Sequence, residues 1–305
     1  MAEPARFNPY ILKAIDMIAQ TRARLGYDIN SYFTRNLNYG GTGTIPANHP
    51  PKTMCVAAVC EIIVEALNLW QQDHKDPQGQ PDKTPFLQLP VRSWRGGSRA
   101  DIRAHIFMYS GLNCRGTAHA LARFGIGGET SFDQLQPGDF VNFNRSTTGH
   151  AAVFLGYIDK SYNDVPYSRN VAGFKYFSAQ GKGRPDAGFG YRWGFFAGVC
   201  PPEPTGKVRD CSIRRSTNLS VLDVGYMADP SAWHVSSAIA ELRADYAVEL
   251  AVAHNMTKGG SMESLFAAPN VSDDALEALT DTLFDAPLNP PDMTRFDDSL
   301  EPVGR

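Results

Sequence analysis

Apolar residues recur at Ile11, Leu12, Ile15, Ile18 and Ala19, the 3.6-residue spacing of one helix face, so Pro9 to Leu25 is expected to be an amphipathic helix packed on a core. The periodicity stops from Gly26 to Pro51, where Tyr39-Gly40-Gly41-Thr42-Gly43 marks a glycine-rich loop. It resumes with Val56, Val59, Ile63, Ala66, Leu67 and Trp70, which predict a second helix from about Thr53 to Gln71. Prolines at 77, 81 and 85 then mark a surface excursion over Gln71 to Lys83, and a short helical region is expected around Ala100 to Tyr109. Beyond Leu135 the period changes to two. Pro137-Gly138-Asp139 is a tight turn leading into Phe140, Val141 and Phe143, and Ala152 to Ile158 is equally β-rich, an antiparallel hairpin with His150 at the start of its second strand. Gly173 to Gln180 is a third strand whose alternation puts Phe174, Tyr176, Ser178 and Gln180 on one face. Phe189 to Phe196 reads as one more.

Texture changes again at Pro201-Pro202-Glu203-Pro204, which reads as a boundary. Ser231 to His254 carries Ile239, Leu242, Tyr246, Leu250 and Val252 and is expected to be a helix docked on the preceding domain. Residues 269–305 hold nine acidic and two basic residues with several prolines, a composition that predicts a largely disordered tail; within it, Val271 to Phe284 has helical spacing suited to a partner groove. The expected organisation is a domain over 1–204, a helical extension over 205–268 and the tail over 269–305.

Charge and composition narrow the function classes. A net charge of −3 gives no electrostatic case for nucleic acid. No apolar run approaches the roughly 18 residues of a membrane span, and Met1 to Phe7 shows no signal-peptide core, so a cytoplasmic product is expected. Cys55, Cys60, Cys114, Cys200 and Cys211 form no C-x-x-C pair, and so indicate neither a disulfide framework nor a zinc site.

Cys55 is the candidate with a physical argument behind it. Pro50 and Pro51 keep the chain extended ahead of Thr53, a good N-cap, so Cys55 falls in the first helical turn, where free N–H groups and the helix dipole favour a thiolate. A thiolate nucleophile needs an imidazole within reach and a third group to orient that imidazole. A rigid sheet can supply the second and third groups while the helix dipole serves the first.

A cysteine heading a helix, followed by a sheet with histidine on one strand and an amide on the next, is the order used by papain-like cysteine hydrolases. Through Tyr39-Gly40-Gly41 ahead of Cys55, Leu135-Gln136-Pro137-Gly138-Asp139-Phe140-Val141 and Gly149-His150-Ala151-Ala152-Val153, residues 35 to 200 resemble the NlpC/P60 and CHAP superfamily of peptidoglycan amidases and endopeptidases. The resemblance implies an α+β, papain-like fold with the cysteine helix packed on an antiparallel sheet. It also implies cleavage of an amide bond in the peptide stem of peptidoglycan, with Cys55 as nucleophile, His150 as base, Gln180 or Ser178 as the orienting group and Tyr39 near the oxyanion. No cofactor or metal is required. Relatives delivered by type VI secretion also lack signal peptides, which makes export by a non-Sec route to a target periplasm and a cognate immunity or inhibitor protein part of the expectation. The chain departs from the family at Thr53-Met54-Cys55-Val56, where Asp-Cys-Ser is usual.

Other readings use the same residues. A deamidase or transglutaminase acting on protein glutamine would share the triad, and a non-catalytic binding protein would need none of it. The packing alternatives make Cys55 a small core residue and His150 a satisfied strand histidine, while Cys114 with His119 offers a second cysteine–histidine pair within one short segment. Cys60 is expected in the core and Asp139 in a turn. His49 is expected to face solvent, and Trp94, Arg95, Arg192, Trp193 and Phe195 are candidates to line a groove.

Overall fold

The computed structural model describes residues 4–145, 148–257 and 282–296, with backbone alone for 248–257. Helix α1 (Asn8–Thr21) buries Ile11, Ala14, Ile15 and Ile18, the stripe its spacing predicts, with Pro9 in the first turn where a missing N–H costs nothing. Strands β1 (Leu37–Asn38) and β2 (Thr44–Ile45) flank the glycine-rich loop. Helix α2 (Cys55–Asp73) is buried on nearly every side of its first four turns. Its N-cap is Met54, whose sulfur accepts from the Ala57 N–H, while the Thr53 hydroxyl has no partner, so the cap lies one residue later than the serine/threonine rule places it. Short helices α3 (Thr84–Gln88), α4 (Ile102–Ile106) and α5 (Thr117–Arg123) follow.

Eight strands form the main sheet: β3 (Gly127–Glu129), β4 (Phe140–Asn144), β5 (Gly149–Ile158), β6 (Asp164–Val165), β7 (Gly173–Gln180), β8 (Gly188–Phe196), β9 (Arg209–Ile213) and β10 (Leu222–Met227). Their order is β3-β10-β4-β5-β7-β8-β9, with β6 beside β5. All pairs are antiparallel except β8 with β9. The protein is therefore a mixed α+β structure on a mostly antiparallel sheet. Among the described residues no helix is long and apolar enough to cross a membrane.

Alternation divides the sheet into two faces. Phe140, Ala151, Val153, Phe177 and Ala179 pack into one cluster with α1 and α2. Val141, Phe143, Ala152, Phe154, Phe174 and Tyr176 form a second cluster on the opposite face.

The chain beyond residue 204 completes the sheet, which overturns the boundary expected there. Strand β10 lies between β3 and β4, so the proline run spans two parts of one fold. Residues 205–268 are thus no purely helical extension; within them α6 (Val235–Thr257) buries Leu242 and Tyr246 as its spacing predicts. A disulfide joins Cys200 to Cys211, a pairing that the cysteine spacing did not indicate. In the acidic tail, residues 282–296 dock on the body: Phe284, Met293 and Phe296 are buried, and Leu288 N–H donates to Gly97 O at 2.6 Å. Most of the expected Val271–Phe284 helix lies outside the described residues.

Candidate functional site

Cys55 and His150 are not brought together. Cys55 is the first residue of α2, has no exposed surface, and shares its core with Ala151 and Val153 of β5. His150 precedes Ala151 on that strand, so its side chain leaves the opposite face, where its ring lies 5.3 Å from Phe143 and 5.8 Å from Tyr176 between centroids. The sheet separates them. Tyr39 is also misplaced for chemistry: it is fully buried between Phe86 and Trp94, its hydroxyl donates to Leu89 O at 2.6 Å, and burial pushes its pKa far up. Of the suggested groove residues, Trp94 and Phe195 are core and Arg192 is nearly buried. His49 is exposed as expected.

His150 keeps its predicted neighbours. Ser178 and Gln180 leave β7 on the same face as Tyr176, and continuing the Val153–Phe177 register places Gln180 opposite His150. The Ser178 hydroxyl donates to Ala151 O at 2.6 Å. The Tyr176 hydroxyl lies 2.7 Å from both Gln180 Oε1 and Asp210 Oδ2. A hydroxyl has one proton to donate, so only one of these contacts takes it. Asp210 in turn receives the Arg145 guanidinium at 2.6 Å. Both ring nitrogens of His150 are buried without a hydrogen-bond partner. Burial first, then the positive charges of Arg145 and Arg192, hold its pKa well below the ordinary histidine value, so the ring is neutral and able to accept a proton.

The cysteine that shares a cavity with His150 is Cys114. A cavity of about 420 Å³ lies at the ends of β4, β5 and β10 and is lined by Cys114, Asn142, His150 and Asp223, with Arg295 and Phe296 of the tail along one wall. Cys114 sits three residues ahead of α5 and is half-buried, its sulfur 3.8 Å from Leu112 O. Burial pushes its thiol up to about 12, so it rests protonated. Helix α5 does not reverse this, because its leading N–H groups are already taken: Thr117 N–H donates to Asn142 Oδ1 at 3.0 Å and Ala118 N–H to Asp223 Oδ2 at 3.0 Å. The Cys114–His119 pairing also fails, because His119 Nδ1 accepts from the Arg115 N–H at 3.2 Å.

Asp223 was absent from the sequence reading. It is 1 % exposed, and burial pushes its carboxyl up to about 7 despite the backbone donors. A polar residue in Leu222-Asp223-Val224, inside an apolar strand and two residues before a glycine, is the signal that could have found it. For Cys114 the signal is position: it directly precedes the helix that leads into the hairpin carrying His150. No family model, curated protein or solved structure matches this chain.

Proposed function

We propose that the protein is a papain-like cysteine hydrolase that cleaves an amide bond in the peptide stem of peptidoglycan, with Cys114 in place of Cys55 as nucleophile and His150 as base. The observation that carries this reading is the single cavity lined both by a thiol just ahead of a helix and by a neutral imidazole with two unpartnered nitrogens.

Because the thiol rests protonated, attack is coupled to proton transfer. The Cys114 sulfur bonds to the substrate carbonyl carbon as its proton passes to a His150 nitrogen. The imidazolium then gives that proton to the leaving amine as the C–N bond breaks, which leaves a thioester. Water, deprotonated by His150, attacks the thioester, and the sulfur departs and recovers the proton. His150 must turn from the Phe143–Tyr176 side toward the strand end for this. Its lack of hydrogen bonds leaves only ring packing to oppose the turn, and contacts of this kind commonly tighten when substrate binds. The orienting group is Gln180, whose Oε1 must leave the Tyr176 hydroxyl to reach the ring.

The test is mass spectrometry of muropeptides released from purified sacculi. Wild type and Cys55→Ala are expected to open one peptide linkage, whereas Cys114→Ala and His150→Ala lose about a thousandfold or more in rate. Full turnover by Cys114→Ala would refute the assignment. Intact sacculi together with a charge shift on a protein glutamine would indicate the deamidase instead.

A further inference from the structure

Asn142 and Asp223 stand directly opposite each other on β4 and β10, which puts their Cβ atoms about 5 Å apart on one face. Half of each side chain is committed to α5. Asn142 Oδ1 accepts from Thr117 N–H, and Asp223 Oδ2 accepts from the N–H groups of Ala118 at 3.0 Å and His119 at 3.4 Å. The other halves, Asn142 Nδ2 and Asp223 Oδ1, are buried with no partner, and both residues line the cavity beside Cys114. The amide cannot flip without setting its N–H₂ against the Thr117 N–H, so the orientation is fixed. Gly116 permits this close approach, since a Cβ there would lie 2.3 Å from Asp223 Oδ2 and 2.8 Å from the Asn142 Cβ.

A buried donor and a buried acceptor, each left unmade, have given up their bonds to water without replacing them. One free donor beside one free acceptor is the complement of an amide, whose carbonyl accepts and whose N–H donates. We propose that Asn142 and Asp223 form a subsite for an amide group of the ligand next to Cys114, with Asn142 Nδ2 donating to its carbonyl and Asp223 Oδ1 accepting from its N–H. With Asp223 ionised, a carboxylate is refused there, because it brings an oxygen to Asp223 where a donor is required. Under the hydrolase reading, on which this biological use rests, the pair holds a substrate amide and repels an acid product.

Paired alkylating probes test the subsite without any turnover. Iodoacetamide carries the amide and iodoacetate the carboxylate; each is reacted with the full-length protein at pH 8.5, labelling at Cys114 is read by peptide mass spectrometry, and the rates are normalised to free cysteine. At that pH Asp223 is ionised, His119 is neutral, and Arg115 is paired with Glu129. The normalised preference for iodoacetamide is expected to be about tenfold or more. Asp223→Asn keeps an acceptor for α5 but turns the free oxygen into a donor, and should bring the preference to within about twofold of free cysteine. Asn142→Asp keeps the Thr117 contact but removes the donor, and should lower the iodoacetamide rate about fivefold or more relative to that of iodomethane, which has no carbonyl; the added charge raises the Cys114 thiol for both reagents and cancels in the ratio. A wild-type preference equal to that of free cysteine, or one unchanged in Asp223→Asn, overturns the subsite. An unchanged iodoacetamide-to-iodomethane ratio in Asn142→Asp does so too. None of these results depends on whether sacculi are cleaved, so the subsite and the hydrolase reading can fail separately.

Discussion

Cys55 and Cys114 both lie at or just ahead of the start of a helix, yet they differ in access. Cys55 begins a helix of 19 residues sunk in a dry core, whereas Cys114 precedes a helix of 7 residues and borders a cavity. The longer helix has the stronger dipole and no route for a substrate. The shorter one has access, but its leading N–H groups are spent on Asn142 and Asp223, so burial governs the thiol. A helix start therefore says nothing about cysteine reactivity until access and the partners of its N–H groups are known.

The sharpest way to break the comparison is to label the three thiols across pH. Cys60 and Cys55, buried in the core, should react with iodoacetamide only through opening, where a thiol regains the ordinary cysteine pKa of about 8.5, so their rates should level off above that pH and rise steeply with added urea. The Cys114 rate should instead keep rising about tenfold per pH unit up to pH 10, since its thiolate is scarce throughout. Profiles of the same shape for all three thiols, or a Cys114 rate that levels off below pH 9, would contradict this account.

The two helices are also anchored differently. On α2, Glu61 has no side-chain exposure and pairs with Arg22 at 2.9 Å while accepting from the Thr34 N–H and hydroxyl. Beside α5, Arg115 pairs with Glu129 at sites 30 % and 27 % exposed. Glu61→Ala leaves Arg22 paired with Glu65 alone, at 2.8 Å, and strips the Thr34 N–H and hydroxyl of their buried acceptor, and should cost about 2–3 kcal/mol, while Glu129→Ala should cost under about 1 kcal/mol. Urea unfolding of the two variants measures the contrast. Equal losses would mean that burial does not distinguish the helices.

Legibility from sequence followed the range of the interactions. The β4–β5 hairpin, β7 and β8 were visible almost to their ends, because strict alternation and aromatic content are local properties, and α1 and α2 were visible through their 3.6-residue stripes. Strand β10 was not: Leu222 to Met227 alternates only weakly, and nothing local tells a strand that it will insert between β3 and β4. The candidate site divided in the same way. His150 and Gln180 could be placed from strand period alone, but choosing the cysteine required knowing which sheet face and which strand ends each helix meets. At 7 residues, α5 is too short to show a stripe.

The cavity beside Cys114 should also be a store of instability that the core around Cys55 lacks, and Asp223 is where to measure it. Its folded-state pKa of about 7 lies above the 3.9 or so of an unfolded aspartate, so the folded protein keeps this proton to higher pH. Stability from this group is therefore full below about pH 4, falls as pH rises, and is lost above about pH 7. His105 and His119, whose pKa values burial lowers to about 4, act in the opposite sense, so that stability grows as pH rises from about 4 to 6.5. Comparing wild type with Asp223→Asn at each pH cancels the histidines, provided the variant leaves them in place. Asparagine keeps an acceptor for the Ala118 N–H but carries no charge to desolvate. The variant should match wild type near pH 4.5 and exceed it by on the order of 2 kcal/mol at pH 8.5, read as a shift in urea midpoint. A variant no more stable at pH 8.5 than at pH 4.5, relative to wild type, would mean that the buried carboxylate is not held at a cost. Gain in stability with loss of amide preference at Cys114 is the combination expected of a group kept for binding rather than for folding.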